Sequence, residues 1–326
     1  MVNGCSVERT KHAGFDAILL KNRFFQLVIV PELGGKIASI VHLASQREWL
    51  WTNPHLTQQS VQYDGDYVES FDTGGFDECF PAVAPGPYPN FPWEGIPIPD
   101  HGELWCQPWE AEIVASSQQQ ISLKTGCHGV RFPYQFERTI TITADQPLIQ
   151  LDYQVANQTN FEMPFVWSSH PLINIEEGMR LTLPTAIDTV RLEGGINNHL
   201  GENGELIRWP ITNETDISLV PAPSFGRAYK IFTPTLKGNS VVETAIHDPS
   251  GQHALTFRFS PQQIYHIGIW MNYGAWSGSG STPYFNLGLE PCIGSKDRLD
   301  EAKEIGEFGL LPAKSTQHWT LEIELS

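Results

Sequence analysis

Positive charge is scarce in this sequence: 20 Lys and Arg stand against 37 Asp and Glu, a formal net charge of −17. No basic stripe is available to a polyanion, so neither nucleic acid nor an acidic membrane is an expected partner. Cysteine is sparse as well. Cys5, Cys79, Cys106, Cys127 and Cys292 are odd in number, scattered and without a CxxC pair, the usage of a reducing compartment rather than of a disulfide framework. The opening MVNGCSVERTKHAGFDAILLKN has no apolar stretch long enough for a signal-peptide core, and no later window of about eighteen residues is uncharged and apolar. A soluble, cytoplasmic protein is expected. Charged residues make up only 17% of the chain and apolar ones 40%, with 28 Gly and 24 Pro, which excludes both disorder and coiled coil.

Helical periodicity is also in short supply. Its best stretches lie near 52–60 and in DRLDEAKEIGEFG (297–309), too few to build a βαβ architecture. Alternation with period two is frequent instead. Ile149, Leu151, Tyr153 and Val155 alternate with polar residues, as do Leu255, Phe257 and Phe259, Ile140 and Ile142, and Trp319, Leu321, Ile323 and Leu325. Each run reads as a half-buried antiparallel strand. Turn signals at Pro31 to Gly35, Asp145-Gln146-Pro147 and Asp248-Pro249-Ser250-Gly251 separate them irregularly, without a repeating unit. The expected fold is an all-β, large antiparallel β-sandwich forming one domain, 1–326, with Ser277 to Ser281 as a loop between strands.

Pro81 to Pro99 holds seven prolines with Tyr88, Phe91 and Trp93 among them and cannot be a central strand. A stiff aromatic loop flanked by GGFDECFP and DHGELW is expected to wall a binding site. Three residues able to move protons stand out: His101 in DHGELW, His170 in SSHPL and Glu290 in NLGLEPCIG. Each neighbours a Gly or Pro and is expected at a strand end, where a ligand can reach it.

These segments, together with NRFFQLVIVPELGGKIASIVH, FPYQFERTITI, LIQLDYQVANQTNFEMPFVWSSHPLINI and HDPSGQHALTFRFSP, resemble in order the aldose 1-epimerase (galactose mutarotase) superfamily over nearly the whole chain. The resemblance implies a sugar cleft across one sheet and an enzyme that interconverts α and β anomers. Opening a hemiacetal ring needs a base for the anomeric hydroxyl proton and an acid for the ring oxygen, and a carboxylate with an imidazole supplies both. Carried over by motif, Glu290 is the general base, His170 the general acid, and His101 the second histidine, hydrogen-bonding the sugar near its ring oxygen. No cofactor and no metal are expected, since the mechanism needs none and no GxGxxG or P-loop is present. The expected partner is a small-molecule sugar, and the protein is expected to be a monomer or homodimer.

The sequence departs from the family it resembles in ways that bear on substrate. VESFDTGGFDECFP lacks the arginine of the galactose mutarotases, and HGELW carries Glu103 where the hexose-6-phosphate branch has HGFAR. Segment 68–110 contains no Lys or Arg, so a neutral aldose is expected over its 6-phosphate. The sugar-gripping Asp is sought among Asp77, Glu78 and Asp216; Trp105 and Trp270 are expected to line the cleft and Trp167 to pack inside. Two other readings are kept. One is a non-haem metal enzyme using His101, Glu103 and His170. The other is a catalytically weak sugar-binding module of the same fold.

Overall fold

The computed structural model describes residues 4–326. Two antiparallel sheets dominate it. The larger, of 12 strands, runs in the order 6–12, 15–21, 25–30, 36–42, 76–79, 167–174, 285–293, 266–273, 227–232, 189–196 and 206–208, with the short strand 47–48 beside 36–42. The smaller, of 8 strands, runs 180–182, 242–247, 254–259, 316–325, 148–157, 134–143, 120–128 and 110–116. The all-β sandwich expected from the alternating pattern is therefore the fold.

Period-two alternation builds the interior directly. Tyr134–Thr143 and Leu148–Asn157 bury every second residue, and the inward set joins Trp319, Leu321 and Ile323 of the pairing strand in the main core. Trp167 is fully buried there, as expected. The Asp145-Gln146-Pro147 and Asp248 to Gly251 turns close hairpins between 134–143 and 148–157, and between 242–247 and 254–259.

The helix expectation is met once. Leu299–Ile305 is an α-helix ended by Gly306 in the left-handed region, whereas 52–60 is irregular. There Pro54 removes an N–H, and Asn53 accepts a hydrogen bond from the His55 N–H, holding the chain in a turn. Among the described residues no helix is long and apolar enough to cross a membrane, and all five cysteines are free and buried.

Two neighbouring central strands break the usual rule by carrying proline, Pro171 in Trp167–Asn174 and Pro291 in Phe285–Ile293. Their ladder pairs Trp167 and Ser168 with Ile293 and Cys292, resumes at Leu172 with Gly288, and is open between. The Ser169 hydroxyl bridges the gap by donating to the Pro291 carbonyl at 2.9 Å. This opening lies at His170 and Glu290.

Candidate active site

Strand register decides which side chains meet. His170 pairs with Asp77, Lys230 with Trp270, Trp270 with Gly288, and Gly268 with Glu290. Directly opposed residues share a face, and so do residues two apart along a strand. Lys230, Trp270, Asn286, Glu290, His170, Leu172 and Asp77 thus project from one face of the larger sheet. Glu78 is one residue out of phase and projects from the other.

On that first face lies a cleft of about 380 Å³, lined by His101, His170, Lys230, Trp270, Glu290 and Asp297 among others. The three proton-transfer residues picked from the sequence are therefore brought together. His170 and Glu290 stand mid-strand rather than at strand ends, because the cleft crosses the sheet face instead of its rim. His101 lies in a loop, with φ +59 and its N–H bonded to the Val83 carbonyl at 2.6 Å. Gly102 follows it at φ +74, where a Cβ would stand 2.2 Å from the Phe80 carbonyl oxygen.

Glu290 is 1% exposed. Its Oε2 accepts from Lys230 Nζ at 2.6 Å, while its Oε1 is buried without a partner. Two glycines make room for this carboxylate: a Cβ on Gly288 would lie 2.6 Å from Oε1 and one on Gly268 3.1 Å from Oε2. Burial raises the Glu290 carboxyl above its ordinary range, Lys230 pulls it back down, and Asp297 pushes it up again. Lys230 also lies 3.3 Å from Asp297 Oδ1 and is held charged, since its two carboxylates outweigh burial.

The histidine rings meet edge to face, 4.9 Å between centroids. His101 Nδ1 is 3.0 Å from Asp100 Oδ1, and its ring stacks on Tyr67 at 3.9 Å. His170 Nδ1 is buried without a partner. Asp72, opposite these rings, is pushed up to about 6 by burial despite the nearby charges of His101 and Lys36.

Leu172, Trp270, Trp276 and Tyr284 form the apolar end of the cleft, with the two indoles nearly perpendicular at 86°. Trp270 projects from the strand His266–Tyr273, and Trp276 comes from the loop that contains Ser277 to Ser281.

Several expected site residues lie elsewhere. Glu78 points into the core between the sheets, accepting from Arg138 at 2.9 Å, Tyr153 at 2.8 Å and Trp167 at 2.9 Å. Asp77 is on the cleft face but covered, its Oδ2 taken by Lys36 at 2.6 Å and by the Tyr67 hydroxyl at 3.0 Å. Asp216 pairs with Arg180 away from the cleft. Trp105 is 2% exposed and packs behind the site against Tyr67 and Phe71, its indole N–H donating to the Asp100 carbonyl.

The proline-rich loop contributes only Val83 and Ala84. Tyr88 stacks on Phe132 in the core, and Phe91 points to solvent, 70% exposed. The Glu103 carboxylate accepts from the Tyr63 hydroxyl and the Val130 and Arg131 backbone N–H groups. It cannot complete a ligand set with His101 and His170. Among the described residues no three His, Cys, Asp or Glu side chains are placed to hold a metal.

The site residues that sequence reasoning missed are Lys230, Asp297, Tyr67 and Asn286. Lys230 had a readable signal, a charge in the interior of the otherwise apolar stretch 228–232. Tyr67 had none, because it depends on the turn Tyr67–Phe71 folding over the sheet.

Solved structures share this architecture at low identity. A galactose mutarotase-like protein from Clostridium acetobutylicum is similar over 99% of both chains, with TM-score 0.70 and 12% identity. One from Lactobacillus casei covers 95% of this chain and 100% of its own, with TM-score 0.64 and 18% identity. The Slr1438 protein from Synechocystis covers 95% of both chains, with TM-score 0.67 and 16% identity. At such identities the likeness is one of fold. No match was found among curated proteins. The sequence model of the family described as aldose 1-epimerase matches residues 16–263, well over half of the chain, and the protein therefore belongs to the aldose 1-epimerase family.

Proposed function

We propose that this protein interconverts the α and β anomers of a free aldose by acid–base ring opening and closure. The observation that carries the reading is the convergence of Glu290, with one oxygen unpartnered, and the His101 and His170 pair on one cleft. Glu290 Oε1 takes the anomeric hydroxyl proton while an imidazolium of the pair protonates the ring oxygen. The C1–O5 bond opens to an aldehyde, C1 turns about the C1–C2 bond, and the same groups act in reverse to close the ring on the other face. Trp270, Trp276, Tyr284 and Leu172 supply aromatic and apolar faces for sugar C–H groups. Polarimetry or saturation-exchange NMR on fresh α-glucose, α-galactose and a wider aldose panel tests the reading. Equilibration no faster than in buffer, alongside measurable sugar binding, would leave a binding module instead.

Cleft charge points to neutral sugars. Asp72, Asp100, Glu290 and Asp297 face the cavity, and the one ammonium that lines it among the described residues, Lys230, is already shared between two carboxylates. Each unpaired carboxylate repels a phosphate dianion by roughly 1 kcal/mol or more at short range. Neutral aldoses are expected to show higher kcat/KM than their 6-phosphates, and a clear preference for glucose 6-phosphate would overturn this expectation.

Lys230 favours the ionised form of the proposed base, against burial. Removing the ammonium raises the Glu290 carboxyl further, so the carboxylate form becomes available only at higher pH. Lys230→Met is expected to move the acid limb of the kcat/KM profile upward in pH, whereas Lys230→Arg retains it near the wild-type position. An acid limb unmoved in a folded Lys230→Met protein would show that the ion pair does not tune the base.

A further inference from the structure

We propose that the proton delivered to the ring oxygen is held on His101, with Asp100 as its positioning residue, and that His170 works as a neutral imidazole hydrogen-bonding the sugar. This rests on the anomer-interconverting reading above and reverses the roles that the motifs alone imply for the two histidines.

Four features of the geometry separate the rings. First, Asp100 Oδ1 lies 3.0 Å from His101 Nδ1, which fixes the proton on that nitrogen and leaves Nε2 as the second N–H of an imidazolium. Second, His101 is held by two further contacts: its ring stacks on Tyr67 at 3.9 Å, and its backbone N–H, in the left-handed region, donates to the Val83 carbonyl. Third, His170 has no carboxylate on its Nδ1, which is buried and unpartnered. Fourth, with ring centroids 4.9 Å apart the two imidazoles cannot both be charged without strong mutual repulsion, so the one with the carboxylate keeps the proton.

The wider surroundings act in the same direction. His101 faces Asp100 from its own loop, Asp72 and Tyr67 from the segment above, Asp297 and Glu290 from the strand Phe285–Ile293 and the turn after it, and His170. Burial opposes charging it, but Asp100, Asp72 and Asp297 outweigh burial and raise it above the ordinary histidine range. His170 faces His101, Lys230, Lys36, Tyr67 and Asp77, and Asp77 is already neutralised by Lys36. Burial first, then the His101, Lys230 and Lys36 charges, hold it well below that range.

In the forward step the O1–H proton passes to Glu290 and C1–O1 becomes a carbonyl. The C1–O5 bond breaks with its electron pair on O5, and O5 takes the His101 Nε2 proton. Ring closure returns both protons, leaving the carboxylate and imidazolium as they began, with no net oxidation or reduction.

Long-range ¹H–¹⁵N NMR of histidine-labelled protein, titrated with pH, reads the two rings directly, with His101→Asn and His170→Asn assigning the signals. The expected result is that His101 carries the higher midpoint and that Asp100→Asn lowers it. The basic limb of kcat/KM moves down in pH in Asp100→Asn with little change in KM, and His101→Asn loses about a hundredfold or more in kcat, clearly more than His170→Asn. A higher midpoint on His170, or a basic limb that follows His170 and ignores Asp100, overturns the proposal. If no sugar is turned over, the functional reading fails, while the titration still decides where the proton resides.

Discussion

Glu290→Gln is expected to lower anomer interconversion at least about a hundredfold, with little change in sugar affinity. Glutamine keeps the size of the side chain and an acceptor oxygen for the Lys230 ammonium, which now lies 2.6 Å from Oε2. It has no carboxylate oxygen able to take a proton at Oε1, the atom buried without a partner beside Gly288. Lys230 retains Asp297 as a counter-charge, so the cleft is not left with an isolated cation. Progress curves from fresh α-anomer, with affinity measured separately by calorimetry, check this. Wild-type rates in a folded Glu290→Gln protein would sink the assignment of the base.

Arg138→Met is expected to cost about 3–5 kcal/mol of stability, the cost of leaving one member of a buried ion pair uncompensated. Arg138 and Glu78 are both fully buried between the sheets, and the guanidinium also donates to the Gly35 carbonyl. Glu78 would keep its bonds from the Tyr153 hydroxyl and the Trp167 indole. Burial already raises this carboxyl, with Arg138 the largest opposing influence, so the single variant leaves it with two neutral donors and no counter-charge. Replacing both partners, with Glu78→Leu and Arg138→Met, removes the stranded charge and should recover part of the loss. Denaturant unfolding of the single and double variants decides it, and a double variant no more stable than the single would refute the account.

Glu78 and Asp77 show where a sequence stops informing. Both are acidic, adjacent and near the histidine motifs, yet strand phase sends Glu78 between the sheets and Asp77 to the cleft face. Choosing between them needs the pairing of Phe76–Cys79 with Trp167–Asn174, a contact across some ninety positions of chain. Trp105 and Trp270 differ for the same reason. One packs behind Tyr67, and the other sits opposite Gly288, where the absence of a side chain leaves its ring open to the cleft.

Local physics written along the chain determined the all-β class, because alternation at Ile149 to Val155 or Trp319 to Leu325 needs no distant partner to be read. The ordered motifs around His101, His170 and Glu290 determined the family resemblance in the same way. Only the tertiary structure decided which charges face the cleft, that Lys230 and Asp297 flank Glu290, and that Asp100 rather than Glu103 supports a histidine. Electrostatics inside a cleft depend on distance and burial, and both are set by strands and loops that lie far apart in the chain.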